Sequence, residues 1–334
     1  MTTNVDSKAE DVRGGSITDR LRAVPAHLSW SDLAVYLGFV VVFIYFSVTL
    51  SDSGFLTGRN FITIIEQTTP ITLMAFATVF VLSAREIDLS IGSVVALAAL
   101  VGATTVNSYG VVAGTIAGIG VGLLAGLLNG VLVVRLKVPS FLITLGTMEL
   151  FAGCAELVTR LQDVPVSNVA FNTIFGSGLI AGVPVTFFWC AAGLAVAHAV
   201  YRKTAFGQRV LATGDNPTSA RSVGIDTNRV RIAVLTLSGG AAALAGLIYT
   251  GEIHGAIHTL GATDMLTTLA AVVIGGTSLF GGRGSMAGAL VGSVLIGIIR
   301  NGLILEGLSA SQQRVAIGLI IVVAVAISQR QTRD

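Results

Sequence analysis

Residues 89–134 run for 46 positions without one charged side chain. A bilayer crossing takes about 20 apolar residues, so this run holds two helices with a turn between them. Asn107-Ser108-Tyr109-Gly110 supplies the turn signal and makes the two helices antiparallel neighbours. Composition extends the inference to the whole chain of 334 residues: 53% are hydrophobic, 11% are charged and the mean hydropathy is +0.84. The expected fold class is an all-α multi-span membrane protein. Forty glycines suit it, because small residues let helix backbones approach closely where lipid gives no hydrophobic drive between helices.

Further apolar runs at 33–51, 61–84, 139–158, 183–201, 232–251, 263–279, 285–305 and 312–328 bring the expected count to about ten transmembrane helices. They are flanked by a polar tail, 1–32, and a short basic end, 330–334. The stretch 159–182 reads as an external loop with a re-entrant or interfacial piece. With the amino terminus inside, 16 of the 20 basic residues fall on the inner side, and only Arg59, Arg160, Arg300 and Arg314 lie outside. That bias follows the positive-inside rule and makes both termini cytoplasmic. A net charge of +2 is too small to suggest nucleic acid. Cys154 and Cys190 lie inside apolar runs and read as small buried hydrophobes; no disulfide, metal or cofactor is expected.

One segment is unlike its surroundings. Residues 204–231 carry Arg209, Arg221, Arg229 and Arg231 with Asp215 and Asp226, punctuated by Gly207, Gly214, Pro217 and Gly224. Such a loop has no place in hydrocarbon, where each backbone group must find a partner within the protein. It reads as a cytoplasmic docking surface for a soluble partner.

Sliding the chain against itself until Asn129-Gly130 falls on Asn301-Gly302 lays spans 2–5 on spans 7–10. Five spans separate the copies, so partners cross in opposite senses. This is an inverted repeat, an arrangement that places a transport pathway near the midplane between the halves.

Several motifs carry two readings each. Asp88, Ser90, Gly92 and Ser93 lie at the join of spans 2 and 3: they are either a capped membrane turn, or a gate hinge or contact with the cytoplasmic partner. Thr144 and Thr147 share a helix face beside Gly146, which suits close packing; their hydroxyls either line a pathway or bond back to their own helix. Asn129 and Asn301 are amides at membrane depth, suited to interhelical hydrogen bonds or to substrate contact. Glu149 is the one acid that looks deep in a span. The run 275–285, with Gly275, Gly276, Gly281 and Gly282, lacks the Gly-Lys-Ser/Thr of a phosphate loop and reads as a flexible or re-entrant turn. No nucleotide site is visible, so this polypeptide is not expected to hydrolyse ATP.

EIDLSIGS, GLLNGVLVVRLKVPSFLITLGTM, TAFGQRVLATGDNPTSARSVGI, MLTTLAAVVIGGTSLFGGRGS and RNGL occur in this order. Together they resemble the permease subunits of bacterial sugar ABC importers, in the ribose, xylose, galactose and autoinducer-2 branch. The resemblance covers about 55–325. It implies a type II importer fold in the inner membrane, a second permease subunit, two cytoplasmic ATPase subunits and an extracytoplasmic sugar-binding protein. It also makes 33–329 the permease domain and places a coupling segment over Gly214, Asp215, Asn216, Ala220, Arg221, Gly224 and Ile225. Pro217 and Glu149 depart from the family pattern. On this basis Ser93, Asn129, Thr144 and Thr147 are candidates for the translocation pathway; Asp88, Ser90, Gly92 and the four glycines of 275–282 are candidates for the gate. The rival expectation is an ion- or proton-coupled carrier, which needs deep ionisable residues.

Overall fold

The structure is a computed structural model, and it describes residues 30–331. The tail through residue 29 and residues 332–334 lie outside the described residues. The first helix, α1 (Trp30–Thr49), starts inside the expected tail. It is followed by α2 (Gly58–Ser83), α3 (Ile91–Tyr109), α4 (Val111–Leu136) and α5 (Ser140–Thr159). A short α6 (Val169–Asn172) runs into a π-helical turn, Thr173–Ser177, before α7 (Val185–Lys203). Then come α8 (Ala205–Asp215), α9 (Pro217–Ser222), α10 (Thr227–Ile253), α11 (Asp264–Ile274), α12 (Met286–Leu305) and α13 (Ala310–Gln331).

Helices stand in all ten expected places, and among the described residues seven of them are long and apolar enough to cross a membrane. The turn between α3 and α4 is tighter than expected. Helix continues through Tyr109, and Gly110 alone makes the reversal at φ +86°.

The eighth expected span is the one that fails as drawn. α11 has only 11 residues, roughly 16 Å of helix against a hydrocarbon core of about 30 Å. Non-helical chain supplies the rest on both sides of it. Residues 254–263 lead in, and the turn Gly275–Gly284 leads out. Irregular backbone at membrane depth is tolerated only where protein covers it. Here two points of the lead-in are held by protein. Gly255 and Ala256 form a two-residue antiparallel ladder with Val164–Pro165, and Gly261 lies against α3.

The expected repeat is visible in the packing. The same register, Asn129 on Asn301, carries the starts of α2, α3, α4 and α5 close to the starts of α10, α11, α12 and α13. Pairs map onto pairs: α3 packs on α4 as α11 packs on α12, and α4 on α10 as α12 on α2. Likewise α3 meets α10 as α11 meets α2, and α3 meets α5 as α11 meets α13. The outer helices break the symmetry, since α1 packs on α12 but α7 packs on α2.

At the centre, α10 lies along α4 at backbone contact. A Cβ on Gly239 would sit 2.1 Å from the Gly122 carbonyl oxygen, and one on Gly126 would sit 2.3 Å from that of Leu235. Only glycine allows this approach. Gly146 is different, because nothing lies within 4 Å of a Cβ built there; its expected packing role is not borne out in this chain.

Candidate functional site

The expected site residues fall into two groups, joined by the strap that connects α2 to α3. The first group lies around the end of α2. Segment 204–231 is not the loop expected from its charge. It folds as α8, α9 and the first turn of α10, each with its own cap. The Thr204 hydroxyl accepts from the Gly207 amide. Asn216 Oδ1 accepts from the amides of Thr218 and Ser219 at 3.0 Å each, and Pro217 takes the first helical position, where its missing N–H costs nothing. Asp226 Oδ1 accepts from the amides of Asn228 and Arg229.

Amphipathy hid part of this segment. Gly214 and Ala220 are buried, whereas Asp215, Asn216, Arg221 and Gly224 are exposed and Ile225 is half-buried. Gly214 is pressed onto the end of α2: a Cβ there would lie 1.8 Å from the Ser83 carbonyl oxygen and 2.8 Å from the Gly282 nitrogen. Gly282 donates its amide to that same Ser83 carbonyl at 3.0 Å. Gly281 and Gly282, both at positive φ, bring the 275–284 turn against Gly214 and Asp215. Gly275 and Gly276 serve elsewhere; Gly275 meets Gly288 at the crossing of α11 and α12, and Gly276 is exposed at positive φ. Beneath the junction the Ser83 and Tyr201 hydroxyls are 2.7 Å apart.

The second group lies deeper. Asp88 Oδ1 accepts from the Ser90 amide at 2.9 Å and from the Ser90 hydroxyl at 2.7 Å. Ser90 Oγ accepts from Asn129 Nδ2 at 2.8 Å, and Asn129 Oδ1 accepts from the Thr147 hydroxyl at 2.7 Å. Four residues on three elements thus form one chain of hydrogen bonds. Thr144 Oγ1 accepts from the Leu89 amide at 3.0 Å, and Ser140 Oγ accepts from the Ile87 amide at 2.9 Å. The strap 87–90 is therefore stitched to α5 along its length.

This corrects one expectation. Ser90 occupies the cap position of α3 but makes no side-chain cap bond; its hydroxyl is spent on Asp88 and Asn129. Asn129, Thr144 and Thr147 are buried and bonded to protein, and Ser93 bonds back to the Ser90 carbonyl at 2.9 Å. In this conformation none of the four offers a free polar group to a solute. Asn301 behaves like its repeat partner, exchanging two hydrogen bonds with Asn60 at 2.9 and 3.0 Å. Glu149 does not lie inside the bundle; halfway along α5, its side chain is exposed.

Three participants escaped sequence reasoning. Glu86 is buried and paired with Arg231 at the head of α10, which anchors the middle of the strap. Ser83, a plain helix-end serine in sequence, is the hub of the first group. Gly261 meets Gly92 where α3 and α11 begin, with 2.6 Å between a Gly92 Cβ and the Gly261 carbonyl oxygen. The repeat register, which lays Ile91 on Thr263, was the available signal for this last contact.

The family described as branched-chain amino acid transport system / permease component matches residues 60–325. The chain belongs to that family. Among relatives of this permease, Ribose import permease protein RbsC of Bacillus subtilis is 36% identical over 304 residues, covering 90% of this chain and 93% of the relative. The protein of the same name from Haemophilus influenzae is 34% identical, covering 83% and 87%. Fructose import permease protein FrcC of Rhizobium meliloti is 35% identical, covering 87% and 83%. No solved structure matches the permease.

Proposed function

We propose that this chain is the membrane-spanning permease subunit of an ATP-binding cassette importer that passes a sugar or sugar-like solute. Its place is the bacterial inner membrane, with both termini cytoplasmic. Its relatives are named for import of ribose and fructose, which supports the solute class. Cytoplasmic ATPase subunits dock on the exposed faces of α8 and α9, an extracytoplasmic sugar-binding protein delivers the solute, and a second permease subunit completes the pathway. Exposed Glu149, halfway along a spanning helix, supports that last partner, because an acid facing lipid is costly.

The observation that carries the reading is the seat of Gly214. The exposed helix pair rests on Ser83 and on Gly282, so a push on α8 and α9 reaches the strap 84–90 and the turn 275–284 together. Those two segments flank α3 and α11, whose starts meet at Gly92 and Gly261. Movement there opens or closes the midplane, and Ser93, Asn129, Thr144 and Thr147 exchange protein partners for solute hydroxyls in the other state. The work comes from ATP in another chain; this one contributes differential contacts to two states.

Reconstitution tests it. Uptake of ribose or a related sugar into proteoliposomes should require the ATPase subunit, ATP and the binding protein. Uptake driven by an ion gradient without the ATPase would overturn the reading in favour of a secondary carrier. Arg221→Glu should abolish co-purification with the ATPase while the permease still inserts and stays monodisperse; an intact complex would remove the docking assignment.

A further inference from the structure

Beyond the Gly92–Gly261 contact, away from the docking helices, α10, α11 and α12 bring together polar side chains that the transport cycle as described does not use. Asp264, the first residue of α11, is only 5% exposed. Its Oδ2 accepts from the Tyr249 hydroxyl of α10 at 2.7 Å. Among the described residues Oδ1 accepts no hydrogen bond from protein, and no basic nitrogen lies within 4.0 Å of the carboxylate. A buried acid without a cation is costly in a membrane and marks a functional site by default.

The packing of α11 on α12 shows what stands opposite. A Cβ on Gly275 would meet the Gly288 carbonyl, and one on Gly292 would meet the Ala271 carbonyl. The two helices are thus antiparallel, and the same register carried on to Asp264 brings it level with Ile299 and Arg300. Arg300 is exposed five residues before the end of spanning α12, where a guanidinium facing lipid is costly. Its charge reaches both Asp264 and the Tyr249 hydroxyl, yet no ion pair closes across the gap.

Other polar atoms beside this gap also lack partners. Thr268 stands one turn on from Asp264 along the same side of α11; it is 1% exposed, and its hydroxyl has no hydrogen-bond partner among the described residues. Glu252 follows Tyr249 by three residues on α10, and its Oε1 is buried without a partner. Among the described residues no three acids, histidines or cysteines are grouped to hold a metal ion. An acid and an arginine that face each other unpaired offer an acceptor and a donor with no net charge, which suits a neutral ligand rich in hydroxyls.

We propose that Asp264 and Arg300 form a second solute subsite, on the far side of the midplane from Asn129. The carboxylate accepts hydrogen bonds from sugar hydroxyls, and the guanidinium donates to a sugar oxygen. Tyr249 is a positioning residue: it occupies one carboxylate oxygen and leaves the other for the solute. The subsite rests on the importer reading above and adds to it a place where the permease itself selects. A site built on hydroxyl contacts rejects a solute that lacks one, because its own polar groups then stay unpaired.

The test uses the permease reconstituted with its ATPase and binding protein, supplied with ribose or fructose, whichever the binding protein retains, and with the monodeoxy analogues of that sugar. Each is given at a concentration that saturates the binding protein, so that its preference drops out. The wild type should move at least one monodeoxy analogue on the order of tenfold more slowly than the parent sugar, the worth of one hydrogen bond to a charged group. Asp264→Asn should slow the parent sugar to about that level and bring the ratio close to one, with ATP hydrolysis and the melting midpoint unchanged. Tyr249→Phe keeps the carboxylate and should preserve most of the ratio. An unchanged ratio in Asp264→Asn overturns the proposal; if uptake falls there with the ratio intact and the midpoint lowered, Asp264 is a structural latch on Tyr249 instead. Wild-type uptake that needs no ATP would sink the importer reading, a separate result from either of these.

Discussion

Glu86, only 2% exposed, lies against the guanidinium of Arg231, 29% exposed, and so ties the α2–α3 strap to the head of α10. Removing one member of a buried pair leaves the other charge without compensation, which costs about 3–5 kcal/mol, whereas replacing both is far milder. Arg231→Met should therefore lower the thermal unfolding midpoint of the purified permease sharply, and Glu86→Gln with Arg231→Met should recover much of the loss. If single and double variants melt together, the pair contributes no specific stability.

Asn129 is the middle of the chain from Asp88 to Thr147, with both ends of its amide engaged. Asn129→Ala leaves the Ser90 and Thr147 hydroxyls each short of a buried partner, at about 1–3 kcal/mol. Thr147→Val keeps the shape but leaves one buried group unpaired, Asn129 Oδ1, where Asn129→Ala leaves two, so it sits at the low end of that range, about 1 kcal/mol. Chemical denaturation in detergent should rank the two in that order; equal effects would contradict the network.

Gly214→Ala tests the junction. Its methyl group cannot occupy the space held by the Ser83 carbonyl, so α8 must lift away from α2 and from Gly282. Overpacking of this sort costs about 1–3 kcal/mol. ATP-dependent uptake in proteoliposomes should fall well below wild type while membrane insertion is retained. Normal uptake by this variant would show that force does not pass through the contact.

Gly239→Ala and Gly146→Ala form a matched comparison on two spanning helices. The first places a methyl group against the Gly122 carbonyl and should destabilise by about 1–3 kcal/mol. The second meets open space and should stay within about 0.5 kcal/mol. Similar melting shifts for both would refute the α4–α10 contact.

The all-helical class, ten helix positions and the repeat register pairing Asn129 with Asn301 were readable from the chain alone, because lipid permits few backbone solutions and each leaves an apolar run of defined length. Charge likewise set 204–231 apart from the apolar runs, and motif order pointed to the family. What the run lengths could not reveal was that α11 stops after 11 residues, since covered irregular backbone is as apolar as helix. Nor could charge show that Gly214 is buried while Arg221 is not, because that depends on α8 packing its Gly214 face on Ser83 while α9 leaves Arg221 outward. Tertiary packing alone decided that Asn129 spends its amide on Ser90 and Thr147, and that Glu86 finds Arg231 across 145 residues. A polar side chain in an apolar span must have a partner, but only the folded chain determines which one it meets.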